Sequence, residues 1–328
     1  MPQTYTRKKN RKKFDYYAGD SKVTDPAIIE RINKLAIPPA WKNVEISPIK
    51  SAKVQATGRD KAGRVQAIYN PVFRAEQEQK KFNRILEFGK QLPKLREQVQ
   101  HDLLRQKLSK EKVLATIVRL MDEAYFRVGN ENYAKSNQSY GVTTLRRKHT
   151  NIRTTTVTFD FIGKSGKRHL KVIKSRQIAK IMKQLDELPG HEVFQYIGDD
   201  GKKHSVDSGD VNDYIKQHTG GNFTAKDFRT WGGTMVATAA LAIEKGLTNE
   251  RDKKKAVTKC IKHVAKQLGN TPAIARASYI DPRIIDTYLK TDVLAGFKNA
   301  VAHMKPDKYL KPEEKATLNI LKTYAKSK

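Results

Sequence analysis

The sequence predicts an α+β protein, with a small β-rich N-terminal domain over residues 1–78 and a larger, mainly helical C-terminal domain over residues 79–328. Three observations predict it. Residues 51–69 alternate in character around a DKAG turn, which is the period-two pattern of a hairpin. From about Phe73 the apolar residues recur at three- and four-residue intervals, as on one face of a helix. A second block of threonine, β-branched and aromatic residues at 154–173 stands between two long helical stretches, so strands are a minority in the second part.

The chain's 328 residues are enough for two domains with at least one sizeable core. Its formal net charge of +31 and pI of about 10.0 would repel a compact state unless a polyanion is bound. Lys and Arg are spread along the whole length, which suits duplex DNA as the partner better than a membrane surface. The single cysteine, Cys260, excludes an internal disulfide and a cysteine-based zinc site. The N-terminus lacks an apolar signal core, so a cytoplasmic protein is expected, nucleoid-associated if bacterial; a monomer is expected as well. The run RKKNRKK at 7–13 reads equally as a nuclear address or as a disordered basic arm on DNA.

In order, Phe14, Tyr16 and Tyr17 are candidate anchors, and Asp25-Pro26 opens a first helix that carries Ile28, Ile29, Ile32 and Leu35. Ile37-Pro38-Pro39 ends it. In the 51–69 hairpin, Gln55, Arg59, Arg64, Gln66 and Tyr69 are the groups able to touch phosphates or base edges, since a two-stranded ribbon fits the major groove. Helices are expected at 73–90, 93–107 and 110–127, the last with Arg127 at its end. Strands follow over 141–173, with GKSGK at 163–167 as their turn. A helix at 175–188, a short strand near 194–197 and a DDGK turn come next. Helices at 208–217, 225–245, 249–268 and 282–298, and one at the C-terminus, complete the chain. Between the last two numbered helices, NTPAIARASYIDPR at 270–283 places Tyr279 in a short joint where a side chain can be presented.

Four positions form a set suited to phosphate chemistry. Arg127 and Arg229 can clamp the non-bridging oxygens of a phosphodiester and stabilise the charge of a pentacoordinate transition state. Lys164, on the hairpin tip, can protonate a leaving oxygen. Tyr279 can attack phosphorus and hold it covalently, provided a cationic pocket lowers its pKa from about 10. Singly, each is better explained by a structural role.

Seven phrases in order carry a resemblance to the type IB DNA topoisomerases, in their short bacterial and poxvirus-like branch. They are LAIPPAW at 35–41, ATGRDKAGR at 56–64, RVGNENY at 127–133, YGVTTLRRKH at 140–149, FDFIGKSGK at 159–167, DFRTWGGT at 227–234 and NTPAIARASYIDPR at 270–283. The resemblance implies a C-terminal domain of the tyrosine recombinase/topoisomerase IB fold, and two domains clamped around duplex DNA. It implies Tyr279 as the nucleophile that forms a 3′-phosphotyrosyl bond and expels a 5′-hydroxyl. Arg127 and Arg229 match the arginines that stabilise the transition state, and Lys164 matches the general acid, with Lys167 its rival and a further candidate DNA contact. No cofactor, ATP or metal is implied.

Two departures stand out. Many relatives carry histidine where this chain has Asn270, which can donate a hydrogen bond but cannot move protons. Poxvirus-like relatives carry a second tyrosine at the place of Ala67, so their cleavage preference does not transfer. A tyrosine recombinase and a non-enzymatic basic DNA-binding protein are the alternatives.

Overall fold

The computed structural model describes residues 3–11, 13–244, 247–291, 293–305 and 307–326. Lys12 of the basic run, residue 245 at the expected end of the helix from 225, and Asp292 in the helix expected at 282–298 lie outside the described residues. The chain divides into two compact units, Met1–Lys81 and Phe82–Lys328.

The first unit is built on one antiparallel sheet. Its strands are β1 (Tyr5–Asn10), β2 (Lys13–Ala18), β3 (Ser21–Lys22), β4 (Lys42–Ile46), β5 (Val54–Arg59) and β6 (Val65–Tyr69), in the order β3-β2-β1-β4-β5-β6. Helix α1 (Pro26–Lys34) begins where Asp25 accepts a hydrogen bond from the Ala27 amide at 2.8 Å. It places Ile32 in one core with Tyr16, Val44, Ile46 and Ala56. The expected hairpin at 51–69 is the β5–β6 pair, with Arg59 opposite Val65 across the turn.

The basic run is not a disordered arm. Arg7–Asn10 lie on β1, in full register with β2. Arg7 donates to the carbonyls of Ile37, Pro38 and Trp41 at 3.2, 3.0 and 2.9 Å, and its guanidinium lies 4.2 Å from the Phe14 ring centroid. Alternation with Tyr5, Phe14 and Tyr16 gave this segment a strand pattern that its charge obscured.

The second unit is mainly helical. Helix α2 (Pro71–Leu103) contributes its length from Phe82 onward, followed by α3 (Lys110–Ala124) and α4 (Glu131–Asn137). A three-stranded antiparallel sheet follows, β7 (Thr150–Ile152), β8 (Thr156–Ile162) and β9 (Arg168–Lys174), with β8 central. Then come α5 (Arg176–Asp186), the ribbon β10 (Gln195–Ile197) and β11 (Lys203–Ser205), α6 (Ser208–Thr219) and α7 (Ala225–Leu241). The chain closes with α8 (Glu250–Leu268), α9 (Pro272–Ser278), α10 (Pro282–Lys290), α11 (Phe297–Ala302) and α12 (Pro312–Lys326). No helix among the described residues is long and apolar enough to cross a membrane.

Three expected boundaries are corrected. The helices expected at 73–90 and 93–107 are one helix that runs through Pro93. Proline removes a hydrogen bond there, but buried Phe88, Leu92, Leu95 and Val99 form one stripe on both sides of it, and packing prevails. Helix α3 stops at Ala124, because Tyr125 adopts a left-handed conformation (φ 58°) as its cap, so Arg127 lies beyond the helix rather than at its end. The helix expected at 282–298 ends at Lys290, with Thr291 extended.

Candidate active site

The site is assembled from the ends of elements. Tyr279 caps α9, its amide donating to Ala275 O at 3.0 Å. Its carbonyl packs onto α7 at Gly233, where an added Cβ would lie 2.4 Å from Tyr279 O. Thr234 of α7 takes a hydrogen bond from the Asp281 amide at 3.1 Å. Asp281 caps α10 and forms an ion pair with Arg283 at 2.6 Å, while Arg283 donates to Phe82 O at the same distance. The joint that presents the phenol is thereby fastened on both sides, and Tyr279 itself is half-buried.

Arg229 stands on α7 just past its capped first turn, where Asp227 accepts from the Thr224 amide at 2.7 Å. Only 3% of it is exposed. It donates to Tyr125 O at 2.6 Å and Leu268 O at 2.8 Å, and its guanidinium carbon lies 5.0 Å from the Tyr279 ring centroid. Its Nε has no partner among the described residues. Arg127, in the extended segment after α3, donates a short hydrogen bond to Asn270 Oδ1 and reaches Gly269 O at 3.5 Å. Asn270 Nδ2 is buried and without a partner among the described residues. The Leu268–Asn270 segment thus holds both arginines.

Electrostatics follow from this crowding. Burial pushes the Arg229 guanidinium down to about 10, with Arg127 adding to the effect; that value still leaves it charged near neutral pH. Burial lowers Arg127 as well, partly offset by Tyr279. For the Tyr279 phenol, burial acts upward, but Arg229, Arg127 and Lys226 outweigh it and hold the group below the ordinary tyrosine value.

The β8–β9 hairpin carries the lysines. Gly163 N donates to Lys167 O at 2.8 Å across the turn, and Lys164 stands exposed on it. Lys164 makes no hydrogen bond or ion pair with any described residue. Sequence reasoning passed over three residues here. Lys226, one turn before Arg229, adds positive charge at the phenol. Lys171 donates to Gln267 O at 2.8 Å, and His169 lies against Gly269. The alternation of β9, which turns 169, 171 and 173 to one side, was the available signal.

A family model described as the catalytic core of eukaryotic DNA topoisomerase I matches residues 70–299, a span containing Arg127, Lys164, Arg229, Asn270 and Tyr279. The chain belongs to the type IB DNA topoisomerases. A second model, described as the N-terminal domain of bacterial DNA topoisomerase IB, matches residues 13–60 of the enzyme. Over 295 residues, 88% of each chain, the enzyme is 35% identical to a DNA topoisomerase 1B of Acanthamoeba polyphaga mimivirus. It is 27% identical over 173 residues, 52% of each chain, to a DNA topoisomerase 1B of Vaccinia virus (strain Copenhagen). A DNA topoisomerase 1 of Mycosarcoma maydis is 25% identical over 182 residues, half of this chain and 18% of that one.

In the enzyme's first unit the candidate DNA contacts separate. Gln55 is corrected: it is 4% exposed, its amide donates to the carbonyls of Ile49, Lys50 and Ala52 at 3.2, 3.1 and 2.7 Å, and its oxygen accepts from Arg31 at 3.2 Å. The polar side chain closes the loop before β5 and is not presented to a groove. Around the β5–β6 turn, Asp60 holds Arg64 in an ion pair at 2.7 Å and accepts from Gln66 at 3.1 Å. Arg59 donates to Gly63 O at 2.9 Å and is exposed, and Tyr69 is 49% exposed with its ring 6.0 Å from that of Phe73.

Proposed function

We propose that this topoisomerase relaxes supercoiled duplex DNA by nicking one strand through Tyr279, letting the broken strand swivel, and resealing it. The observation that carries the reading is the guanidinium of Arg229 5.0 Å from the Tyr279 ring, with Arg127 and Asn270 tied to the same Leu268–Asn270 segment.

Tyr279 gives up its phenolic proton to water, and the phenolate Oη attacks phosphorus. The bond from phosphorus to the 5′ oxygen breaks, leaving a 3′-phosphotyrosyl diester. Lys164 donates a proton to the departing oxygen as its general acid, and Lys167, at the closing residue of the same turn, is its alternate. Arg127 and Arg229 carry the charge that builds on the non-bridging oxygens. The Asn270 amide, whose oxygen is taken by Arg127, has its N–H bonds left for the same oxygens. Resealing reverses each step: the 5′-hydroxyl attacks and the phenol leaves. The covalent diester conserves the energy of the broken linkage, so the cycle needs no ATP. Arg59, Arg64, Gln66 and Tyr69 are proposed as contacts of the first unit with the duplex.

The test is peptide mapping of a DNA–protein adduct trapped on plasmid DNA. An adduct on Tyr279 is expected, and attachment at any other residue would overturn the assignment. Relaxation of a plasmid that lacks any recombination site, by a single protomer, separates this reading from that of a recombinase.

A further inference from the structure

His169 occupies a place that the mechanism leaves without a role. It sits on β9 directly opposite Phe161, and the two rings stack with centroids 5.2 Å apart and planes 18° from parallel. Its ring edge fills the space where two glycines lack a side chain. A Cβ added to Gly163 would lie 2.7 Å from His169 Cδ2, and one added to Gly269 would lie 2.3 Å from Cε1. Gly269 has a left-handed backbone (φ 63°) that demands glycine on conformational grounds as the cap of α8. Gly163 has φ −104°, which any residue adopts, so its missing side chain is explained by the ring beside it.

The two glycines belong to the two halves of the site. Gly163 is the first residue of the turn that presents Lys164, and it is closed onto Lys167. Gly269 directly precedes Asn270, and its carbonyl and its neighbours' acceptors hold Arg127 and Arg229. Two residues along the same face of β9, Lys171 donates to Gln267 O at 2.8 Å, a second link to the same end of α8.

We propose that His169 is a positioning residue, a flat spacer that sets the distance between the hairpin bearing the general-acid lysine and the segment that anchors the two arginines. Its ring nitrogens make no hydrogen bond with any described residue, so the contribution is one of shape. Burial, with Arg127, Lys171, Arg229 and Lys167 around it, pushes the imidazole down to about 4, so the spacer adds no charge to the pocket at working pH. The inference rests on the proposed roles of Lys164 and Tyr279.

A substrate with sulfur in place of the 5′-bridging oxygen tests it. A thiol leaving group has a pKa of about 8.5 and departs without a proton donor, whereas an alkoxide needs one. His169→Ala is expected to slow single-turnover cleavage of the ordinary duplex about 100-fold, the cost of a displacement of about 1 Å, and to cleave the sulfur duplex at close to the wild-type rate. Gly163→Ala, which presses on the ring from the other side, should give the same pattern. Equal slowing on both substrates in both variants would overturn the inference, because it would mean that phenol or arginine geometry was lost instead. Lys164→Ala is the control. Rescue by sulfur there without rescue in the His169 and Gly163 variants overturns this inference alone. Absence of rescue in Lys164→Ala overturns the general-acid assignment, and the inference with it.

Discussion

The Arg229 guanidinium lies 5.0 Å from the centre of the Tyr279 ring while its own N–H groups are bound to the carbonyls of Tyr125 and Leu268. A cation held by two backbone anchors does not have to reorganise when charge develops beside it, which is the condition under which such a donor is most effective. Arg229→Ala is therefore expected to cut single-turnover cleavage by about 100- to 1000-fold or more while binding to duplex DNA changes modestly. Near-normal cleavage would remove Arg229 from the chemistry. Tyr279→Phe, which keeps the ring and loses the nucleophile, should bind DNA and form no covalent adduct on denaturing gels.

The phenol is held below its ordinary value because the charges of Arg229, Arg127 and Lys226 outweigh burial. Only the phenolate attacks, so the cleavage rate should rise with pH and level off below pH about 10, the free tyrosine value. Arg127→Ala removes one of those cations, and the plateau should then move to higher pH. A rapid-quench pH profile of both proteins reads this directly; an unmoved plateau would separate Arg127 from the ionisation of Tyr279.

Gln55 and Tyr69 lie in the same hairpin and should behave in opposite ways. Gln55→Ala leaves the Ile49, Lys50 and Ala52 carbonyls without their donor, a cost of about 1–3 kcal/mol when such groups stay buried, visible as a lower midpoint in thermal or urea unfolding. Tyr69→Ala removes a ring that is 49% exposed and should weaken DNA binding with little change in that midpoint. Arg59→Ala should weaken binding and lower the slope of log affinity against log salt by about 1, if it meets a phosphate. Fluorescence anisotropy across a salt series measures both.

Asp281 has no exposed surface, and Arg283 beside it is nearly as deeply placed. Asp281→Ala would leave that guanidinium unpaired and would uncap α10, a loss of about 3–5 kcal/mol. The same change releases the joint next to Tyr279, so the surviving folded fraction should also cleave slowly. A stability close to wild type would show that the pair is not what holds the joint.

Much of this was legible in the amino-acid order. One cap announced itself: Asp25-Pro26 opens a helix, as an acceptor followed by a ring that needs no N–H bond should. The GKSGK turn and its two strands follow from local propensity and from glycine's access to positive φ. Helix α2 was misjudged at Pro93, since a proline's local cost is visible in sequence while the buried stripe that outweighs it is not. The N-terminal strands were hidden for a related reason: Lys and Arg dominate the segment, and the carbonyls that Arg7 satisfies come from residues some thirty positions away.

By itself the sequence determined the two-part α+β architecture, the cationic character of the molecule and the residue types on which phosphate chemistry depends, because composition, periodicity and capping are short-range properties. Only the tertiary structure decided that Gln55 is an interior ligand of its own loop, that Arg127 and Arg229 are anchored to one short segment after α8, and that an unassigned histidine lies between that segment and the lysine hairpin. The two arginines are about 40 and 140 positions from the segment that anchors them, where no local pattern constrains distance, and they meet it because backbone carbonyls left over at a helix end must find donors when the elements pack.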